Sequence, residues 1–544
     1  MNVSLCTILS KSAQAQRQAP KAAQTMYCRL AGGIRNLLFS TGMSTIRCGL
    51  LMLSLLGFAI HPGWADDSDL RGQARAALEK ATAYMCSIST EGGYLWKYSL
   101  DLKERAGEGK ATATQIWIQP PGTPSVGMAF LRAYQVTKDA RYLAAAQAAG
   151  DALARGQLES GGWGYLIDFA PNNQRTFLRS DKGKLSPKQV AKRKNISTFD
   201  DNNTQSAIRF LLALAAASKE NDKNAAAPNE RDARIRDALD YGLKKMLEAQ
   251  YPNGAWPQGW DGQPHKPDEC PVTKARFPEN YSREYVKQPY WFHYTLNDNT
   301  QRDCIETMLD AFHHTGKPEY LAAAKKGGSF LILAQMPEPQ PAWAQQYNMQ
   351  MEPAWARAFE PPAITGNESA GAMHILMDLY IETGDEKYLQ PLPAAIAWFR
   401  RSALAPGKWA RYYELKTNKQ IFGDRDGKIH YRLEDISEER QKHYSWSGEY
   451  GVEKAIAFCE KLKRDGRETI LKARQARTSK AGRSSAKSLA PVVKEIIAAL
   501  DSQGRWVIRG HIQQRNWEFG DRVETEVFIK NVRRLCDYLE ATRP

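Results

Sequence analysis

Two short polar clusters hold the residue types that could do chemistry. STFDDNNTQSAIRFL, over 197–211, places Asp200, Asp201, Asn202 and Asn203 directly before an apolar run. YTLNDNTQRDCIETML, over 294–309, repeats the form with Asn297, Asp298 and Asn299. Asp and Asn are favoured helix N-caps, but a cap needs one such residue and each cluster offers at least three. Oxygen donors in excess at two matching loop–helix junctions suit a hard cation such as Ca²⁺, which takes carboxylates, carbonyls and waters. The spacing is not that of an EF-hand loop, so the ligand set rests on Asp200, Asp201 and Asp298.

The stretch from Trp409 to Tyr450 is polar and rich in Gly and Asn, yet densely aromatic. Arg411 and Arg425 lie there among Tyr412, Tyr413, Phe422, Tyr431, Tyr444 and Trp446. Rings stack on sugar faces and guanidinium forks grip carboxylates, so the mixture suits a flat, hydroxylated, anionic ligand. The same composition also describes a solvated loop with incidental ion pairs. DRDG at 424–427 marks a turn, because Asp bonds its own backbone and Gly takes positive φ.

A third motif, EPAWARAFEPPAITGNESAG over 352–371, completes a set. In this order the motifs resemble those of the family 10 polysaccharide lyases, the pectic acid (pectate) lyases. The likeness runs over roughly 70–465, and its last segment is the most specific. The resemblance implies an α/α toroid that cleaves polygalacturonate with calcium. It carries Asp200 and Asp298 onto the family's calcium-binding and substrate-holding aspartates. Asp201 falls where the family has Asn, which makes this site more negative. Arg357 falls on the family's proposed Brønsted base, and Arg411 and Arg425 on its carboxylate-binding arginines. The family's early GGWPKN-type loop reads GGYLWKY here, and 170–198 and 262–284 are lengthened.

The chemistry fits such parts. β-Elimination at a 4-linked uronate removes the C5 proton, α to the carboxylate, and expels the C4 oxygen. A cation and arginines on that carboxylate stabilise the enolate-like transition state, and no hydrolytic water is needed. An arginine base is chemically awkward, since guanidinium keeps its proton above about pH 12. Read from the residues alone, Arg357 is a carboxylate clamp, with Tyr412 and Lys97 as other candidate bases. Two further functions are compatible with the motifs. One is a glycoside hydrolase using Asp200 and Asp298 as acid and base; the other is a polysaccharide-binding protein without turnover.

The elements that must position these residues are helical. AYQVTKDARYL (133–143), AFHHTGKPEYL (311–321) and LYIETGDEKYL (379–389) share one spelling, in which a helix closes, turns at Thr and a polar corner, and a second opens on Tyr-Leu. Internal repeats of this kind mean stacked helical hairpins. Residues 208–218 and 232–250 add another. Gly-aromatic loops follow the hairpins: GGYLWKY at 92–98, GGWGY at 161–165, NGAWPQGW at 253–260 and PAWAQQY at 341–347. The expected fold is all-α, an (α/α) toroid or incomplete barrel whose loops and short β segments line a cleft. A Trp in a loop is core packing more often than not. Four loops with one pattern point instead to a shared sugar-facing cleft, with Trp96, Trp163 and Trp256 as candidate platforms and Trp163, Trp256 and Tyr412 as substrate contacts.

Over the 544 residues the formal charge is +15, and six Lys or Arg with no acids lie in 1–65. A basic balance steers polyanions toward the protein. Residues 43–65, MSTIRCGLLMLSLLGFAIHPGWA, read as a secretory signal cut after Ala65, with Met43 as the start. The apolar run is too short to span a bilayer. The expected product is a secreted or periplasmic monomer that binds acidic polysaccharide, with no nucleic-acid module and no membrane segment. Five cysteines past residue 65 contain no CxxC and allow at most two disulfides. The catalytic domain is expected over 66–470, with a basic surface insertion at 170–198. Residues 471–544 are expected to form a basic linker and a helical extension that seals the toroid or packs on its outside.

Overall fold

Three hairpin corners are built alike, and the shared spelling explains why. Thr137, Thr315 and Thr383 each donate from Oγ1 to the carbonyl four residues back, Ala133, Ala311 and Leu379, at 2.6–2.7 Å. Each hydroxyl then accepts the backbone N–H two residues on, from Asp139, Lys317 and Asp385. Between them sits a left-handed residue, Lys138 (φ 57°), Gly316 (φ 71°) or Gly384 (φ 74°), which ends the first helix. Asp139 and Asp385 cap the helix that follows.

The computed structural model describes residues 62–221, 229–479, 485–511 and 519–543. The chain divides into Met1–Ile60 and His61–Pro544; the first unit, and with it the apolar run of the expected signal, lies outside the described residues. Within the second unit the helices are α1 (Pro62–Ser87), α2 (Thr123–Thr137), α3 (Ala140–Arg155), the single-turn α4 (Pro187–Val190), α5 (Asn203–Asn221) and α6 (Glu230–Glu248). They continue as α7 (Thr300–Thr315), α8 (Pro318–Ala334), α9 (Gly366–Thr383), α10 (Leu392–Arg401) and the short α11 (Glu438–His443). The last are α12 (Val452–Asp465), α13 (Arg467–Ser479), α14 (Ala486–Ala498) and α15 (Thr525–Ala541).

These helices form an α/α toroid. One layer runs α15, α2, α5, α7, α9, α12, each packed on the next; α1, α3, α6 and α8 form a second layer behind it. The layers pack through small residues: Gly150 of α3 has the Leu214 side chain of α5 where a Cβ would stand. The strand before an inner helix pairs with the strand after its outer partner. Gln115–Trp117 pairs with Leu166–Asp168, Ser197–Thr198 with Gly259–Trp260, and Tyr294–Thr295 with Gln346–Tyr347, all antiparallel. This wiring gathers the N-termini of α5, α7 and α9 at one end. Beside them lies a four-stranded sheet in the order Ile429–His430, Gln420–Gly423, Tyr412–Glu414, Ala363–Thr365.

Within 471–544 the helices belong to the toroid itself: α13 begins at Arg467, and Phe528, Val532, Leu535 and Leu539 of α15 are buried in the main core. There α15 takes the inner place facing α2 and α1, and Phe519–Glu524 pairs with Lys97–Ser99. Arg71 of α1 donates to the Leu539 carbonyl (2.6 Å) and to Thr542 Oγ1 (2.7 Å), tying the two ends together. The insertion at 170–198 lies at the surface and folds through its own backbone bonds and the Arg193–Asp181 ion pair (2.8 Å). The five cysteines are free thiols, four of them buried. Among the described residues no helix is long and apolar enough to cross a membrane.

Candidate active site

Each acidic cluster folds as one turn of 3-10 helix, Asp200–Asn202 and Asn297–Asn299, leading into α5 and α7. Both turns contain two consecutive left-handed residues, Asp201 (φ 52°) and Asn202 (φ 57°), then Asp298 (φ 47°) and Asn299 (φ 65°). Short polar side chains tolerate that conformation where larger ones do not. It swings Asp200, Asp201 and Asp298 together, with a carboxylate oxygen from each within 4.8 Å of the others.

The neighbours hold this trio in place. Asn297 Nδ2 donates to Asp200 Oδ1 (3.0 Å) and Asp298 Oδ2 (2.8 Å), bridging the two turns. Gln258 Nε2 donates to Asp200 Oδ2 (2.6 Å). The Tyr165 hydroxyl reaches Asp200 Oδ2 (3.0 Å) and Asp201 Oδ2 (3.2 Å). Burial, then the Asp298 charge, pushes the Asp200 carboxyl up to about 6. Burial, then Asp200 and Asp298, pushes Asp201 up to about 8. Asp298 is also raised by burial, against the pull of Arg411 and Arg357. A site that resists its own negative charge is chemically suited to a cation.

Facing the carboxylates is a group of arginines. Arg357 is gripped by Glu360, Nε to Oε2 at 2.7 Å and Nη2 to Oε1 at 2.5 Å, with its backbone N–H on the same carboxylate at 3.1 Å. Glu360 is 1 % exposed and also accepts from the Tyr444 hydroxyl (3.1 Å). Arg411 lies over the Tyr444 ring at 3.9 Å and donates to its hydroxyl at 3.1 Å. Three guanidinium groups surround the Phe359 ring: Arg440 at 4.5 Å, Arg357 at 4.7 Å and Arg425 at 5.3 Å. Burial draws the Arg357 guanidinium down, but the Glu360 carboxylate outweighs it and holds the side chain charged.

The structure thus brings Asp200, Asp201, Asp298, Arg357, Arg411 and Arg425 to one end of the toroid. The aromatic expectations fail. Trp163 and Trp256 are fully buried, and their indole N–H groups donate to the carbonyls of Leu153 and Met246, near the C-termini of α3 and α6, at 2.9 Å. A helix end leaves carbonyls without partners, and the indole satisfies one while its ring fills the core. Trp343, Trp409 and Trp506 do the same for Leu331, Phe399 and Ile496. Tyr412 is also fully buried and spends its hydroxyl on Gln345 Oε1 (2.7 Å), so it neither stacks on a sugar nor serves as a base. Trp96 is half-buried, its N–H on the Gln119 carbonyl, and the Lys97 ammonium lies 3.7 Å from Glu524. Glu360, Tyr165 and Gln258 were missed. Glu360 stands three residues after Arg357, in a motif read for its arginine, and that spacing was the available signal.

The pectic acid lyase family model matches residues 168–408 and 402–455. Among solved structures, a mutant family 10 polysaccharide lyase from Cellvibrio cellulosa, in complex with trigalacturonic acid, is 21% identical. It covers 62% of this chain and 98% of that one, with a TM-score of 0.41. A cellobiose 2-epimerase from Bacillus thermoamylovorans is 14% identical over 87% of this chain and 99% of that one, with a TM-score of 0.40. A sugar epimerase from a ruminal bacterium is 11% identical over 88% of this chain and 100% of that one, with a TM-score of 0.42. No curated protein matches the chain.

Proposed function

The chain belongs to the pectic acid lyase family and is a polysaccharide lyase, and from that premise we propose that it cleaves polygalacturonate by calcium-assisted β-elimination. The convergence of the three carboxylates on the Arg357–Arg411–Arg425 group carries this reading. The trigalacturonic acid bound by the mutant Cellvibrio enzyme supports the choice of substrate.

The donor set fits a hard divalent cation. Asp200, Asp201 and Asp298 supply anionic oxygens, and Oδ1 of the buried-side Asn202 has no hydrogen-bond partner. These residues would hold Ca²⁺, which when bound neutralises the uronate carboxylate and stabilises negative charge developing beside C5. The protein's own groups do the rest. Arg411 and Arg425 hold substrate carboxylates, Arg411 fixed in direction by the Tyr444 ring beneath it and Arg425 by Glu439, which accepts from its Nε (3.0 Å) and Nη2 (3.3 Å). Glu360 locks the plane of Arg357 through Nε and Nη2, leaving Nη1 free to reach the sugar.

Arg357 first releases a proton to solvent and, thus neutralised, takes the C5 proton. The C5–H electron pair becomes the C4–C5 double bond, the C4–O bond breaks, and the leaving oxygen gains a proton from solvent. Glu360 favours the charged resting form, whereas burial and the Arg425 charge beside the Phe359 ring oppose it. The glycosidase reading is disfavoured by the family match and by the third carboxylate, Asp201, which draws together with Asp200 and Asp298 as a cation site would rather than as a separate acid and base. Export through the segment at 43–65 completes the proposal, since the polymer is an extracellular material.

The test is release of unsaturated uronide, followed by ultraviolet absorbance, from polygalacturonate with calcium or with EDTA. Arg357→Ala is expected to lower kcat by about 10²–10³ while keeping fold and polymer binding. Full turnover in that variant removes Arg357 from the base role; full turnover in EDTA removes calcium.

A further inference from the structure

We propose that the insertion at 170–198 builds an additional uronate subsite, an inference that rests on the lyase reading above. A cavity of about 750 Å³ lies beside the carboxylate cluster; its walls include Tyr165, Thr198, Arg175, Lys192, Lys194 and Trp291. That size is within the range of about 300–1,000 Å³ found for ligand sites. Tyr165 joins it to the candidate active site, since its hydroxyl is bonded to Asp200 and Asp201.

Six of the insertion's eight cations divide into two kinds. Arg179, Lys182 and Arg193 are committed to Asp237, Glu159 and Asp181 at 2.7–2.8 Å. Arg175, Lys192 and Lys194 are exposed, line the cavity, and make no ion pair or side-chain hydrogen bond among the described residues. Two of them are fixed on one wall by the backbone. Lys194 N–H donates to the Arg175 carbonyl (2.8 Å), and Phe177 N–H to the Lys194 carbonyl (2.9 Å). The wall's acid, Asp168, accepts from Thr114 (2.8 Å), Gln115 (3.0 Å) and the Ala170 N–H (3.0 Å), and it feels the Arg175 charge without forming an ion pair with it.

Opposite chemistry stands nearby. Trp291 is 48 % exposed and stacks on Tyr290 at 4.5 Å and 24°, which gives a flat indole face held in place. An exposed aromatic plane beside unpaired cations matches a sugar ring that carries a carboxylate. Galacturonate units beyond the cleaved linkage would lie there, so the subsite selects for chain length rather than for the bond broken.

The experiment compares the full chain with the Arg175→Ala/Lys192→Ala/Lys194→Ala variant, and separately with Trp291→Ala, on polygalacturonate and on the galacturonate trimer. Loss of three screened ion pairs raises KM for the polymer about tenfold, with kcat within about twofold and the trimer KM unchanged. An unchanged polymer KM, or an equal loss on polymer and trimer, overturns the subsite. A second measurement separates this from the lyase reading. Calorimetric titration of the Arg357→Ala chain with galacturonate hexamer and trimer must show the triple substitution weakening the hexamer alone. If the wild-type chain releases no unsaturated product, the lyase reading falls, and the titration still decides the subsite.

Discussion

Asp201 stands where the motif resemblance implies Asn, and its surroundings say what a carboxylate does there. Its carboxyl is pushed up to about 8 by burial and by Asp200 and Asp298, so the metal-free protein holds a proton there that the unfolded chain would release. The folded pKa lies above the unfolded one, near 3.9. Stability is therefore lost as pH rises through the range from about 4 to about 8. Melting in EDTA is expected to fall from pH 5 to pH 9, and Asp201→Asn is expected to flatten that slope. The same substitution is expected to weaken calcium binding and to reduce the protons released when calcium binds. A slope that is unchanged in Asp201→Asn would show that the carboxyl titrates normally. The acidic clusters were legible because excess Asp and Asn before a helix is visible in one dimension. Glu360 was not, because its value lies in a fold-dependent grip on Arg357.

Among the elements, the Trp loops teach the limits of a sequence pattern. A Gly-aromatic loop after a helix has the same spelling whether its ring faces a sugar or seals a helix end. Here the repeat was real and its meaning was structural: one indole for each of α3, α6, α8, α10 and α14, bonded to a carbonyl ten to twelve residues upstream. Trp256→Phe keeps most of the buried ring but leaves the Met246 carbonyl without its donor. The expected cost is about 1–3 kcal/mol of stability by denaturant titration, with KM unchanged. A raised KM at full stability would return Trp256 to the cleft. The hairpin corners were read correctly because their Thr and left-handed residue act locally.

The whole molecule depends on its last described helix. Residues 471–544 looked separate because charged residues crowd their start, and composition does not reveal which face is buried. Deleting 525–541 removes Phe528, Val532, Leu535 and Leu539 from the core. At about 1.5–3 kcal/mol for each buried side chain, the loss of about 6–12 kcal/mol is comparable with a domain's entire stability. The truncated chain is expected to lack a cooperative melting transition by calorimetry. A sharp transition near that of the full chain would make α15 an appendage after all.

The bonds from Arg71 to Leu539 and Thr542 also mean that beginning and end of the described fold meet edge to edge. Sequence order is then a convention laid on a closed circuit of hairpins. A short splice across that seam, with a fresh opening at the Gly316 corner, would renumber every helix while the carboxylates and arginines kept their places.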